Sequence, residues 1–209
     1  EGKNLNESLA RLRWDGYWQK NHKNMRNYVL VSPFPTAKVI TDSLADNRIK
    51  TYGTSLQADW QLGESNFLIT GYEFVQDQLE ADTDARSSMS MRSMLMSDTQ
   101  THRFNKGKET TNAIFASMET SLPMDFMVNY GVRYTWVNSK LSKASASLNG
   151  FDRNGQYKNF DDGSAGKTGS DRNSRPVFNL SLNWTGLPDT SLRAGWSQGF
   201  RVPNLQEKY

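Results

Sequence analysis

Four methionines and a histidine crowd one polar stretch of the chain: Met89, Met91, Met94 and Met96, with His102 shortly after. Thioether sulfur and imidazole nitrogen are soft donors that suit copper, and either residue type can ligate haem iron. The simpler reading, and the favoured one, is that the same methionines form an adaptable apolar surface or fold over a barrel mouth, because an unbranched thioether side chain fits partners of irregular shape. A second set is cationic. Arg11, Arg13, Arg133, Arg193 and Arg201 recur at alternating positions, where they could attract an anionic chelate or pair with Asp15, Asp59, Glu73 and Glu119 across neighbouring strands.

Nothing in the sequence supports catalysis. Its two histidines, His22 and His102, lie in separate polar stretches, cysteine is absent, and no Ser/His/Asp spacing joins a nucleophile to a base. Gly166-Lys167-Thr168 lacks the first glycine of a phosphate loop, since Asp161 stands there and no helical pattern follows. Asp161, Asp162 and Asp171 match no calcium-loop spacing. No resident cofactor or metal is therefore expected.

The elements that would position these residues are strands. From Phe126 to Trp136 one face carries Phe126, Val128, Tyr130, Val132, Tyr134 and Trp136, and the other Met127, Asn129, Gly131, Arg133 and Thr135. That strict alternation is the signature of a strand with two unlike faces. It recurs over Tyr52 to Leu62, over Phe178 to Trp184, and from Leu192 through Ala194 and Trp196 to Phe200. Looser versions run from Leu9 to Lys20, Phe67 to Asp77 and Thr111 to Leu122. Most of these seven strands reach about ten residues, enough to cross a bilayer at a tilt and longer than the usual strand of about five or six.

The connections alternate in length. Leu62 to Ser65, Leu122 to Asp125 and Gly186 to Asp189 read as tight turns, whereas roughly 21–47, 80–109 and 142–174 read as long polar loops. In an up-and-down meander the short turns fall on one side and the long loops on the other, as in outer-membrane barrels. Aromatic residues gather at both ends of the strands. Trp60, Phe67, Phe126 and Trp184 lie near the turns, and Trp18, Phe74, Trp136 and Phe200 toward the far ends, like the two interfacial girdles of a membrane barrel.

Composition agrees with strands rather than helices as the membrane element. The 209 residues have a mean hydropathy of −0.74 and no apolar run of about 18 residues that could span as a helix. The net charge of +3 arises from 25 basic and 22 acidic residues scattered along the chain, so no basic stripe marks a nucleic-acid footprint. The chain opens on Glu1 without a signal-like segment and stops at Tyr209 within a continuing pattern, so both ends are expected to be cuts. Seven strands cannot close a bacterial barrel, which has an even number from eight upward, so they are expected to be part of a larger one. The competing readings are a soluble β-sandwich binding module, which would bury the same aromatic faces, and a passive porin or adhesin barrel.

The last stretch, Arg193-Ala-Gly-Trp-Ser-Gln-Gly-Phe-Arg-Val-Pro-Asn-Leu-Gln-Glu-Lys-Tyr209, resembles the barrel signature of TonB-dependent outer-membrane receptors. The matching positions are Trp196, Ser197, Gly199, Phe200, Arg201, Pro203, Leu205, Glu207 and Tyr209, with Val202 where alanine is commoner. Phe115 to Glu119 and Tyr130-Gly-Val-Arg-Tyr134 are weaker echoes in the expected order. The resemblance implies an all-β, antiparallel up-and-down transmembrane barrel of about 22 strands, of which residues 1–209 are a partial barrel domain without its plug. It further implies a bacterial outer-membrane receptor for an iron chelate such as a ferric siderophore, or for haem, energised by the TonB complex. Independently of the family, Gly195 and Gly199 on the polar face are expected to leave room for close packing, and Pro203 to loosen the ladder.

Overall fold

The computed structural model describes residues 1–3, 5–151, 155–159, 168–203 and 205, and among these the architecture is a single antiparallel sheet. Nine strands compose it: β1 (Gly2–Lys3), β2 (Leu9–Phe34), β3 (Ala37–Leu62), β4 (Asn66–Met91), β5 (Met94–Leu122), β6 (Phe126–Phe151), β7 (Tyr157–Asn159), β8 (Gly169–Leu187) and β9 (Thr190–Ser197). Their order is β1-β2-β3-β4-β5-β6-β8-β9, each paired with its neighbour in sequence, while β7 adds to the outer end of β6. The sheet is not closed. All seven expected strands are present, as β2, β3, β4, β5, β6, β8 and β9, in the expected meander.

Two of the three expected long loops are absent. The segment 21–47 is the continuous upper half of the β2–β3 hairpin, and 80–109 that of β4–β5. At 26 to 29 residues these strands extend roughly 85–95 Å at about 3.3 Å per residue, between about two and three times the length needed to cross a bilayer. The third segment, 142–174, is strand over much of its described length, as the outer end of β6, β7 and the start of β8. The ladder continues because backbone pairing needs no apolar face, and cross-strand polar pairs replace apolar ones there.

Register fixes which residues share a face. Trp14 is opposite Leu56, Leu56 opposite Tyr72, Tyr72 opposite Ile114, Ile114 opposite Tyr134 and Tyr134 opposite Pro176. One row nearer the short turns run Leu12, Ala58, Thr70, Ala116, Val132 and Phe178. These rows form an apolar belt on what we term the outer face. The alternate residues form the inner face, with Arg11 opposite Asp59, and Gly71 between Gln57 and Phe115. Phe67, opposite Gln61 and Glu119, is an inner-face residue and not part of the aromatic girdle. Trp60, Phe126, Trp184, Trp18, Phe74 and Trp136 do lie outward, by the same pairing.

Strand β9 ends at Ser197, three residues short of the expected Phe200. The Gln198 amide donates to the Phe178 carbonyl and its side-chain Oε1 accepts from the Phe178 amide, after which the chain leaves the ladder. Leu205 comes to rest on the inner face, 5% exposed, close to Gly107 and lining a recess with Ile49, Asp77 and Leu79. Pro203, which has no amide hydrogen to give, is consistent with this departure.

Candidate functional site

The inner wall is built from polar residues held by one another. Near the short turns Arg11 Nε donates to Asp59 Oδ2 at 2.6 Å, and Gln57 Nε2 donates to the other oxygen at 2.8 Å, so both oxygens of a nearly inaccessible carboxylate are satisfied. Further along, the Arg133 guanidinium is bound to Glu73 two strands away. It reaches across β5 above Ala113, which pairs with both Glu73 and Thr135 and is fully covered. Arg133 also stands 5.8 Å from the centre of the Phe115 ring, whose own edge lies over Gly71. Higher still, Ser139 donates to Glu109 Oε2 at 2.6 Å, and Thr51 donates to Asp77 at 2.5 Å. Beside Asp77, a recess of about 230 Å³ is lined by Gln19, Asn21, Ile49, Thr51, Leu79 and Leu205.

This arrangement places four of the five expected arginines, Arg11, Arg13, Arg133 and Arg193, on the inner face and pairs two of them, Arg11 and Arg133, as cross-strand chemistry suggests. Arg13 pairs within its own strand, Nε to Asp15 Oδ2 at 2.6 Å. Arg193 lies on the inner side of β9 opposite Asn183, and Arg201 lies beyond the strand's end. A side chain at Gly199 would meet nothing close, and one at Gly195 would meet Ser181 and the Leu180 carbonyl. Gly131 on the inner face admits the Asn179 amide oxygen, and the glycines there that admit a ring are Gly53, under Tyr17, and Gly71, under Phe115. Their signal was the inner-face position of a glycine beside an aromatic in the next strand, which register alone reveals. Of the signature residues, Glu207 and Tyr209 lie outside the described residues.

The methionines and the histidine separate. Met89, Met91, Met94 and Met96 cluster at the tip of the β4–β5 hairpin, where Met91 pairs with Met94 and Met94 and Met96 are largely exposed. His102 sits eight residues from Met94, about 27 Å along the strand. There it faces Asp84 and Asp82, with Nδ1 at 2.9 and 3.4 Å from their oxygens. The three ligand atoms lie within 4.8 Å of one another, a set of the size a divalent cation takes, on the outer face well above the apolar belt. Thus the thioethers and the imidazole do not converge on one ion.

Between tip and belt, the hairpins are laced by ion pairs. Arg86 donates to both oxygens of Asp98, at 2.9 and 2.7 Å, and these hydrogen bonds hold the Asp98 carboxyl below the ordinary carboxylate range against the opposing effect of its burial. Hydrogen bonds from Arg26 lower Asp42 in the same way, and the Lys106 ammonium lowers Glu80. A depressed folded-state value means that the Asp98 contribution is complete above the unfolded value of about 3.9 and is lost as pH falls through the folded one. Amide exchange at 86–98 should therefore stay constant, after correction for intrinsic rates, from neutral pH to about 5, and accelerate only below about 4. Acceleration already near pH 6 would mean that this pair does not hold the tip.

Residues 3–209 match the TonB-dependent receptor-like β-barrel family. The chain belongs to that family. As a TonB-dependent receptor barrel segment it is also similar, among solved structures, to the ferric yersiniabactin uptake receptor of Yersinia pestis. Identity there is 13% and the TM-score 0.43, over 88% of this chain and 24% of that one. The chain spans about a quarter of the length of that receptor. No curated protein sequence matches it.

Proposed function

We propose that this chain forms part of the wall of a bacterial outer-membrane receptor that takes up an iron chelate or haem, driven through the TonB complex, with a plug domain filling the lumen. The observation that carries the reading is the inverted polarity of the sheet. Trp14, Trp18 and Trp196 on the outer face are 69%, 62% and 56% exposed, while Asp59, Glu109 and Ser139 on the inner face are buried. In water the belt is unfavourable, because it far exceeds the few hundred Å² of apolar patch that soluble proteins expose, whereas the covered inner-face charges already hold partners. Against acyl chains the belt is solvated, and a polar lumen is what such barrels enclose. A soluble sandwich would cover these tryptophans with a second sheet; among the described residues there is only one sheet. Family membership supports the receptor role and the outer-membrane location, and lipid and TonB follow as partners.

In this reading the exposed thioethers of Met91, Met94 and Met96 contact the arriving ligand, and Arg133, Arg193 and Arg201 line the route of an anionic chelate. The test is ligand binding to the full-length receptor in detergent, comparing haem, a ferric chelate and copper. Replacing Met89, Met91, Met94 and Met96 by serine should weaken one of the three about tenfold, roughly the transfer cost of losing one or two apolar contacts. His102→Ala should leave it unchanged. Uptake in cells should stop when the inner-membrane proton gradient is collapsed. Unaltered uptake under that treatment would make the barrel a passive pore and defeat the proposal.

A further inference from the structure

Four of the cationic side chains that flank Asp82 and Asp84 on the outer face already hold carboxylates of their own: Arg26 binds Asp42, Arg48 binds Asp46, Arg86 binds Asp98 and Lys106 binds Glu80. Arg48 also feels the charge of Asp82, but its Nε and Nη2 both donate to Asp46. Asp82 and Asp84, two residues apart on β4 and therefore on one side of it, meet instead the ring of His102, which register puts directly opposite Asp84. Nδ1 of that ring lies 2.9 Å from Asp84 Oδ1, its hydrogen-bond partner, and 3.4 Å from Asp82 Oδ1. Asp82 Oδ1 itself is covered and, among the described residues, is the one covered side-chain oxygen or nitrogen without a hydrogen-bond partner. A carboxylate oxygen so placed has given up its hydration and calls for another species to satisfy it.

We propose that Asp82, Asp84 and His102 bind one divalent transition-metal cation of the zinc class, which clamps β4 to β5. Ligand atoms about 2.0–2.1 Å from a tetrahedral centre stand roughly 3.3–3.4 Å from one another. The three ligand atoms here already lie within 4.8 Å of one another, so small side-chain rotations bring them to that spacing. An imidazole nitrogen beside two carboxylates suits zinc better than calcium, which takes its ligands from oxygen alone. Coordination through Nδ1 leaves the ring proton on Nε2, and the two carboxylates match the charge of the ion. Alongside, a cavity of about 280 Å³ bounded by Leu44 and Phe104 together with both aspartates gives room for the water that completes a three-ligand zinc shell. The site opens on the outer face, away from the lumen, so the cation is a fixture of the hairpin and not cargo. Held there, the upper hairpin keeps the register that presents Met91 opposite Met94 at its tip. Sequence spacing gives no sign of the site, because 18 positions separate Asp84 from His102 and only the hairpin joins them. The inference does not depend on what the receptor takes up.

The experiment uses the full-length receptor in detergent, stripped with a chelator, dialysed, and titrated calorimetrically with zinc chloride and, separately, with calcium chloride. Wild type should take up one more equivalent of zinc than the Asp82→Asn, Asp84→Asn, His102→Ala variant, and calcium should bind this site at least about tenfold more weakly than zinc. His102→Ala alone, which keeps both carboxylates, should weaken zinc by at least about tenfold. His22→Ala, whose ring sits against Asp46 on the β2–β3 hairpin, should leave zinc binding unchanged. Zinc should also slow amide exchange at 82–84 and 102–104 in wild type and not in the triple variant, a readout that places the ion on these two strands. If the triple variant fails to fold, His102→Ala and the exchange pattern of the wild type decide. Equal zinc stoichiometry in wild type and triple variant, calcium bound as tightly as zinc, or zinc uptake without protection at these amides overturns the proposal.

Discussion

Arg11→Ala should lower the unfolding midpoint of the full-length receptor in detergent more than any other single replacement of an inner-wall arginine. Asp59 is only 2% exposed, and Arg11 and Gln57 are the donors that satisfy its two oxygens. Removing the guanidinium leaves a covered carboxylate with one neutral donor, and the loss of one partner from a buried ion pair typically costs about 3–5 kcal/mol. Because Arg11 itself keeps 40% of its side-chain exposure, water can enter the vacated space, and about 3 kcal/mol is the expected size. The other direction is cheaper. Asp59→Asn keeps an acceptor for Arg11, loses only the charge, and leaves the half-exposed arginine hydrated, so about 1 kcal/mol is expected. The double replacement Arg11→Ala, Asp59→Ala should recover most of the loss, since no charge is then stranded. A single Arg11→Ala variant as stable as wild type, or no more stable when Asp59 is also removed, would show that the pair does not hold this corner of the wall. Arg133 is expected to matter less, because both it and Glu73 remain over a third exposed.

How far such pairs could be read from the sequence depends on what each one needed. The seven belt strands were legible because lipid demands an apolar residue at every second position, and Phe126 to Trp136 carries that demand without a break. Beyond Lys20 and Lys50 the demand stops. His22, Asn24 and Arg26 on one face and Asn21, Lys23 and Met25 on the other show no contrast, so the ladder runs on without a periodic signal. The turn at Arg92-Ser93 hid itself further. Both residues have positive φ, 48° and 66°, as two-residue hairpins require, but neither is the glycine or asparagine that normally announces one. Pairing of the inner arginines with acidic residues could be anticipated from residue type. The choice of partner could not, because Arg133 meets Glu73 across an intervening strand, over an alanine whose place in the row is set by register. His102 was grouped with the methionines by proximity in sequence, a poor guide along a strand, where eight residues are about 27 Å.

Gly71→Val carries the other large effect, and it tests register directly. A Cβ at this position would lie 2.3 Å from Phe115 Cζ and 2.9 Å from the carbonyl oxygen of Leu56. The ring can rotate away, but the carbonyl belongs to the β3–β4 ladder and cannot move without breaking a pair of backbone bonds. Overpacking of this kind typically costs about 1–3 kcal/mol, and the backbone contact puts valine here at the upper end. Gly53→Ala should be milder although its nearest contact is shorter, 2.1 Å, because all three nearest atoms belong to the Tyr17 ring, which is 52% exposed and free to swing. Adding Phe115→Ala to Gly71→Val should restore part of the loss and not all of it, since the Leu56 oxygen stays where it is. The same displacement removes the aromatic face from beside the Arg133 guanidinium, so the valine variant should also loosen the Arg133–Glu73 bridge. That loosening can be followed as faster amide exchange at Ala113, the residue the bridge covers. If Gly71→Val proves no more disruptive than Gly53→Ala, then Phe115 does not lie over Gly71, and the β4–β5 register that aligns the whole inner wall is displaced.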